Sequence, residues 1–216
     1  MWTEWNVPSF GPLKARDSIY VGAALADDVR QCDGLVDMMS YWTFDDGFEG
    51  NGPVKEPFYG GFGLIAAGGI KKPSYYAYAL LHQLGSERIL NDAPDAIVTR
   101  RSDGTLVVAV WNLVDPDHQS SVQKLSLDFR GIPANSPVLI QRVDEHHGNT
   151  LVSYERMGKP RYPTQAQIQQ LNAESKLLAP EKRSLTNGKL VIDLPPMRWC
   201  SWKFHTSRRD RLNLLT

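Results

Sequence analysis

The chain has 216 residues, 42% hydrophobic and 22% charged, the proportions of an ordinary globular protein with room for one or two domains. Lys plus Arg equals Asp plus Glu at 24 each, so the formal net charge is zero. That balance argues against nucleic acid as a partner and excludes a polybasic membrane anchor as the dominant feature.

Residues 1–6 (MWTEWN) are short, aromatic and extended in character, and Pro8, Gly11 and Pro12 mark a loop. From Asp17 to Cys32, Ile19, Ala23, Ala26 and Val29 recur at helical spacing; Asp17 or Ser18 caps the start and Asp33-Gly34 ends the helix. Residues 35–44 (LVDMMSYWTF) form a nearly continuous apolar run, as in a strand buried on both faces. Residues 45–72 form a long loop rich in Gly, Asp and aromatics; a loop of that length is functional or disordered, and its aromatics argue against disorder. A second helix runs from Lys72-Pro73 to Leu84, with Tyr76, Leu80 and Leu84 on one face. Residues 1–88 therefore read as β-α-β-α, the alternation of a parallel sheet with helices outside.

After about Leu90 the pattern changes to short strands at 97–100, 106–112, 123–129, 138–143, 189–194 and 199–204. Ser102-Asp103-Gly104 and Asn187-Gly188 are turn signals, and the spacing predicts an antiparallel β-sandwich. One helix interrupts it, from Thr164 to about Ser175, opened by a T-x-x-Q capping box at Thr164 and Gln167. The expected division is 1–88, 89–206 and a frayed tail, 207–216, holding Arg208, Arg209 and Arg211. Trp111, Trp199 and Trp202 read as core; His146 and His147 read as part of a polar turn before Gly148 and not as metal ligands. Cys32 and Cys200 lack metal-ligand spacing and read as small buried hydrophobes. No apolar run reaches transmembrane length, so no membrane partner is expected.

Two strands and two helices cannot close a doubly covered parallel sheet, and both predicted strands need neighbours on each side. The chemistry lies in these same segments. Glu4 stands between Trp2 and Trp5 with Asn6 beside it, and Tyr41, Trp42, Asp46 and Glu49 follow the second strand. Retaining glycosidases need two carboxylates about 5–5.5 Å apart, one nucleophile and one acid/base, with aromatic platforms for the sugar rings. The residues alone leave alternatives open: Glu4 suits a surface strand, YWTF suits a core, and Asp45 and Asp46 suit a turn cap.

The motifs T-E-W-N (3–6), L-V-D (35–37), S-Y-W-T-F-x-D-x-F-E (40–49), P-F-Y-G-G-F-G-L (57–64) and K-P-x-Y-x-A (72–77), in this order and spacing, resemble glycoside hydrolase family 39, and most of all its bacterial β-xylosidases. Residues 95–205 resemble the family's C-terminal β-sandwich more loosely. The resemblance implies an α/β plus all-β chain: the last two β-α units of a (β/α)8 TIM barrel, then an antiparallel β-sandwich. It implies Glu4 as nucleophile, with Trp42, Tyr41, Glu49, Asp46, Trp5 and Asn6 binding substrate, and neither cofactor nor metal. The implied partner is a xylo-oligosaccharide or related glycoside, with a homo-oligomer or the missing N-terminal part of the barrel as protein partner. Two departures stand out: the family's Asn-Glu-Pro acid/base motif does not occur, Lys55-Glu56-Pro57 being a poor substitute, and Gly50 stands where related sequences often carry a second glutamate. The expectation is a C-terminal fragment starting at strand seven, with the nucleophile but without the acid/base, inactive alone. The alternative is a non-catalytic carbohydrate-binding or assembly sandwich that folds by itself. The compartment is not determined by the sequence; cytoplasmic is favoured.

Overall fold

The computed structural model describes residues 1–7, 13–47, 52–114, 121–129, 131–196, 199–204 and 212–215. Strand β1 (Trp2–Trp5) is followed by a short 3-10 helix (Leu13–Asp17), α1 (Tyr20–Gln31), β2 (Met39–Tyr41), the small hairpin β3 (Ile65–Ala66) and β4 (Ile70–Lys71), and α2 (Pro73–Leu81). Then come β5 (Glu87–Ile89), β6 (Ala96–Arg100), β7 (Leu106–Trp111), β8 (Gln123–Phe129), β9 (Pro137–Val143), α3 (Thr150–Arg156), α4 (Gln165–Glu174), β10 (Glu181–Ser184), β11 (Lys189–Leu194), β12 (Trp199–Phe204) and β13 (Leu212–Leu215).

The described elements stack in four layers. An antiparallel sheet ordered β11-β8-β13 faces a six-stranded antiparallel sheet ordered β10-β9-β12-β7-β6-β5. Alternate residues of β7 (Leu106, Val108, Val110) meet Leu127, Phe129, Leu190 and Ile192 of the smaller sheet. On the other face of β7, Ala109 and Trp111 pack with Ile97 and Val143 against Ala23, Ala26, Tyr76 and Leu80 of α1 and α2. Every residue of β7 is therefore buried, which explains its unbroken apolar sequence. The far side of the helices, Val21, Ala24, Leu25 and Ala77, packs under Trp5 and Tyr41 of the parallel β1–β2 pair. Small residues let α1 sit between two layers: a Cβ on Gly22 would lie 3.3 Å from the Ala77 Cβ.

The turn chemistry follows the sequence. Asn187 and Gly188 both have positive φ, 54° and 75°, as a two-residue hairpin turn requires. At the start of α4 the Gln167 N–H donates to Thr164 Oγ1 at 3.3 Å, and the Thr164 N–H donates to Gln167 Oε1 at 2.8 Å, completing the capping box.

Several expectations are corrected. The run 35–44 is not a strand buried on both faces: β2 covers three residues, and Leu35, Met38 and Phe44 are 81%, 61% and 64% exposed. Residues 32–35 form the turn that ends α1, and among the described residues β2 pairs with β1 alone. Asp17 does not cap α1; its carboxylate is used elsewhere, and Ser18 Oγ accepts from the Tyr20 N–H at 3.3 Å. Cys32 is free and half-buried at the C-cap of α1. Residues 212–215 of the supposed frayed tail pair with β8, from Leu212↔Phe129 to Leu215↔Ser126; the three arginines lie outside the described residues. Strand β10 (EKRS) has no apolar periodicity because it is a polar edge held to β9 by backbone pairing.

Candidate active site

The parallel pair fixes the site. Trp5 pairs with Tyr41 and Trp2 with Met39, and the Trp42 N–H donates to the Trp5 carbonyl at 2.8 Å just beyond β2. Trp5 and Tyr41 meet edge to face with centroids 5.6 Å apart, and Tyr41 leans on Tyr78 of α2 at 5.3 Å. Burial pushes the Tyr41 phenol above the ordinary tyrosine value, a hydrogen bond with Asn6 pulling it back, so the phenol stays protonated. The β1–β2 register shifts between Trp2 and Trp5. Trp5 packs on the helix layer, and its neighbour Glu4 is exposed.

Asn6 ties three segments together. Its amide nitrogen donates to the carbonyls of Trp42 and, at 3.0 Å, Phe62. The Trp42–Thr43 peptide is cis. Beyond it the chain runs alongside residues 62–65: the Thr43 N–H donates to the Phe62 carbonyl at 3.2 Å and the Asp46 N–H to the Ile65 carbonyl at 2.8 Å. Arg16 covers this segment, its guanidinium 4.1 Å from the centroid of the Phe62 ring. Glu49 lies outside the described residues.

Asp46, also expected at the sugar, is 1% exposed and belongs to a buried ion triad. Lys72 Nζ lies 2.5 Å from Asp46 Oδ2 and 2.7 Å from Asp17 Oδ1, and donates to the Gly61 carbonyl at 3.1 Å. The other carboxylate oxygens accept backbone N–H bonds, Asp46 Oδ1 from Gly63 at 2.6 Å and Asp17 Oδ2 from Gly60 at 2.7 Å. Burial pushes both carboxyls above the ordinary aspartate range, and Lys72 pulls each back. The glycines of the loop serve this packing: a Cβ on Gly61 would fall 2.4 Å from Asp46 Oδ1, and one on Gly63 2.4 Å from the Asp45 carbonyl carbon. The triad was missed in the sequence because its members lie 26 to 55 residues from Lys72, and no local pattern marks a buried lysine.

The profile of glycosyl hydrolases family 39 matches residues 1–189. A beta-xylosidase from Geobacillus stearothermophilus is 34% identical over 196 residues, covering 89% of this chain and 38% of the relative. A beta-xylosidase from Caldicellulosiruptor saccharolyticus is 31% identical over 205 residues, covering 89% and 41%. The crystal structure of a monomeric beta-xylosidase from Caulobacter crescentus matches with a TM-score of 0.78 at 26% identity, over 95% of this chain and 45% of that one. The chain thus spans 38% to 41% of the length of the curated relatives it matches.

Proposed function

The chain belongs to glycosyl hydrolases family 39, and from that membership we propose that it is the C-terminal part of a retaining β-xylosidase with Glu4 as nucleophile. In this reading β1, α1, β2 and α2 are the last two β-α units of a (β/α)8 barrel. The observation that carries it is the position of Glu4. It is exposed near the C-terminal end of a parallel strand, the end at which barrel enzymes place their chemistry. The Glu4 carboxylate attacks the anomeric carbon as the glycosidic C–O bond breaks. The departing oxygen takes a proton from a second carboxyl group, and water then releases xylose from the glycosyl ester. Trp42 shapes the platform, and Trp5 and Tyr41, packed on the helices, support it from below. Asp46 and Asn6 hold the loop around it, which is a positioning role and not direct contact with the sugar.

No Asn-Glu-Pro motif supplies the acid in this sequence, so the chain alone is expected to turn over xylosides about 10²–10⁴-fold more slowly than an enzyme with both carboxyls. A 2,4-dinitrophenyl 2-deoxy-2-fluoro-β-xyloside tests the nucleophile directly, because its leaving group departs without an acid. The expected result is one covalent adduct mapped by mass spectrometry to Glu4 and absent from Glu4→Gln. No adduct, or an adduct elsewhere, counts against the assignment.

An assembly role is supported by the apolar surface of Trp2, Leu35, Met38 and Phe44 around β1 and β2. It fits the further parallel strands that a (β/α)8 barrel would require beside β1 and β2. Mixed with that N-terminal portion of the Geobacillus relative, the chain is expected to form a 1:1 complex in size-exclusion chromatography, weakened by Trp2→Asp with Met38→Asp. Failure to co-elute would sink this reading.

A further inference from the structure

A groove of about 300 Å³ runs between the loop before β3 and the segment joining α3 to α4, lined by Lys55, Glu56, Arg161, Tyr162, Gln165 and Ile168 among others. Its volume is at the lower end for a small-ligand site. A recess of about 70 Å³ also reaches Glu56 and continues to Tyr154 and Lys159. Glu56 therefore borders both spaces, which suits a ligand made of linked units.

One wall is held in place before any ligand arrives. Gly158 and Lys159 leave α3 with positive φ, 86° and 52°. Pro160 and Pro163 then restrict the backbone on either side of Arg161-Tyr162. Tyr154 Oη donates to the Pro160 carbonyl at 3.1 Å, and Arg161 Nε donates to the Lys55 carbonyl at 3.1 Å. The segment is thus tied both to its own helix and to the opposite wall. On it, Tyr162 is 73% exposed, with the Arg161 guanidinium 5.3 Å from its ring centroid. A large aromatic ring fixed in water at the rim of a groove provides apolar contact with little ordering cost left to bear.

The lining combines donors and acceptors. Lys55 and Arg161 donate, Glu56 accepts and Gln165 does both. An anion would face Glu56 and a cation would face two positive groups. A neutral ring with an apolar face and a rim of hydroxyls matches every group present. We propose that this groove binds a xylo-oligosaccharide chain, with Tyr162 stacked on one pyranose ring and Glu56, Arg161 and Gln165 hydrogen-bonded to its hydroxyls. The choice of pentose rests on the β-xylosidase reading; the groove and its platform do not.

The test is calorimetric titration of xylohexaose into the full 216-residue chain. The wild type is expected to bind, and Tyr162→Ala to bind roughly threefold to tenfold more weakly, the range an aromatic stacking contact supplies. Tyr162→Phe keeps the ring and is expected to match the wild type. Unchanged binding in Tyr162→Ala, equal loss in Tyr162→Phe, or no binding by the wild type overturns the proposal. Glu4→Gln is expected to bind as the wild type does. If Glu4→Gln alone loses binding, the groove proposal falls while the catalytic reading stands. If labelling at Glu4 fails while binding still depends on Tyr162, the catalytic reading falls and the groove stands.

Discussion

Lys72→Met is expected to destabilise the protein by about 3–5 kcal/mol, the cost of leaving a buried charge without its partner. The substitution keeps the length of the side chain but removes the one cation shared by Asp17 and Asp46, both about 1% exposed. Each carboxylate keeps its backbone N–H donor and faces the other without compensation. For a chain of this size the loss corresponds to a fall in melting temperature of roughly 10 °C by calorimetry. The pH dependence has a definite sign. Burial already raises both carboxyls above the ordinary value of 3.8 in the folded protein, and without Lys72 they rise further. Groups with raised folded values bind protons more tightly folded than unfolded, so they favour folding at low pH and lose that contribution as pH rises through the raised values. The deficit of Lys72→Met is therefore largest at neutral pH and shrinks on acidification. A deficit independent of pH, or a loss under 1 kcal/mol, would show that the triad is not the anchor of this loop.

Deleting residues 1–88 is expected to prevent the remaining chain from folding to a stable monomer. The alternative reading of the sequence has a sandwich that folds by itself, but the packing crosses that boundary twice. Ile97, Ala109, Trp111 and Val143, each no more than 4% exposed, lie against α1 and α2. Phe58, Ala66 and Ile70 lie against Tyr154, Ile168 and Leu171 of α3 and α4. Trp111 is fully buried, and exposing a large apolar side chain costs about 1.5–3 kcal/mol. The truncated chain is expected to scatter light, to lose near-ultraviolet circular dichroism and to lose xylohexaose binding along with the groove wall at residues 54–57. A monomer that unfolds cooperatively within a few degrees of the full chain would refute this.

What could be read from the sequence follows the range of the interactions. Strands β8 and β11 are legible to the residue because each alternates between a core face and solvent, and α4 because its cap is a local hydrogen-bond pair. Helix α2 is legible through Pro73 and its apolar face, although it ends at Leu81 and not at Leu84. The apolar run 35–44 overstates β2 because such a run carries no information about whether neighbouring strands are present. α3 is not legible because seven residues are too few to show a period. At the site, Glu4, Trp5, Tyr41 and Trp42 stand out as residue types in motifs. The working partners of Asn6, Asp17, Asp46 and Lys72 do not, since each bond joins segments far apart in the chain.

The hairpin β3–β4 is closed by a residue made much later. Asn172 Oδ1 accepts from the Lys71 N–H at 3.0 Å, and Asn172 Nδ2 donates to the Gly69 carbonyl at 2.9 Å, across 101 and 103 residues. During synthesis at about 5–20 residues per second, residues 57–71 therefore wait roughly 5–20 s after emerging before α4 can hold them. A ribosome that stalls before residue 172 leaves behind a nascent chain whose β3–β4 hairpin lacks both of these bonds.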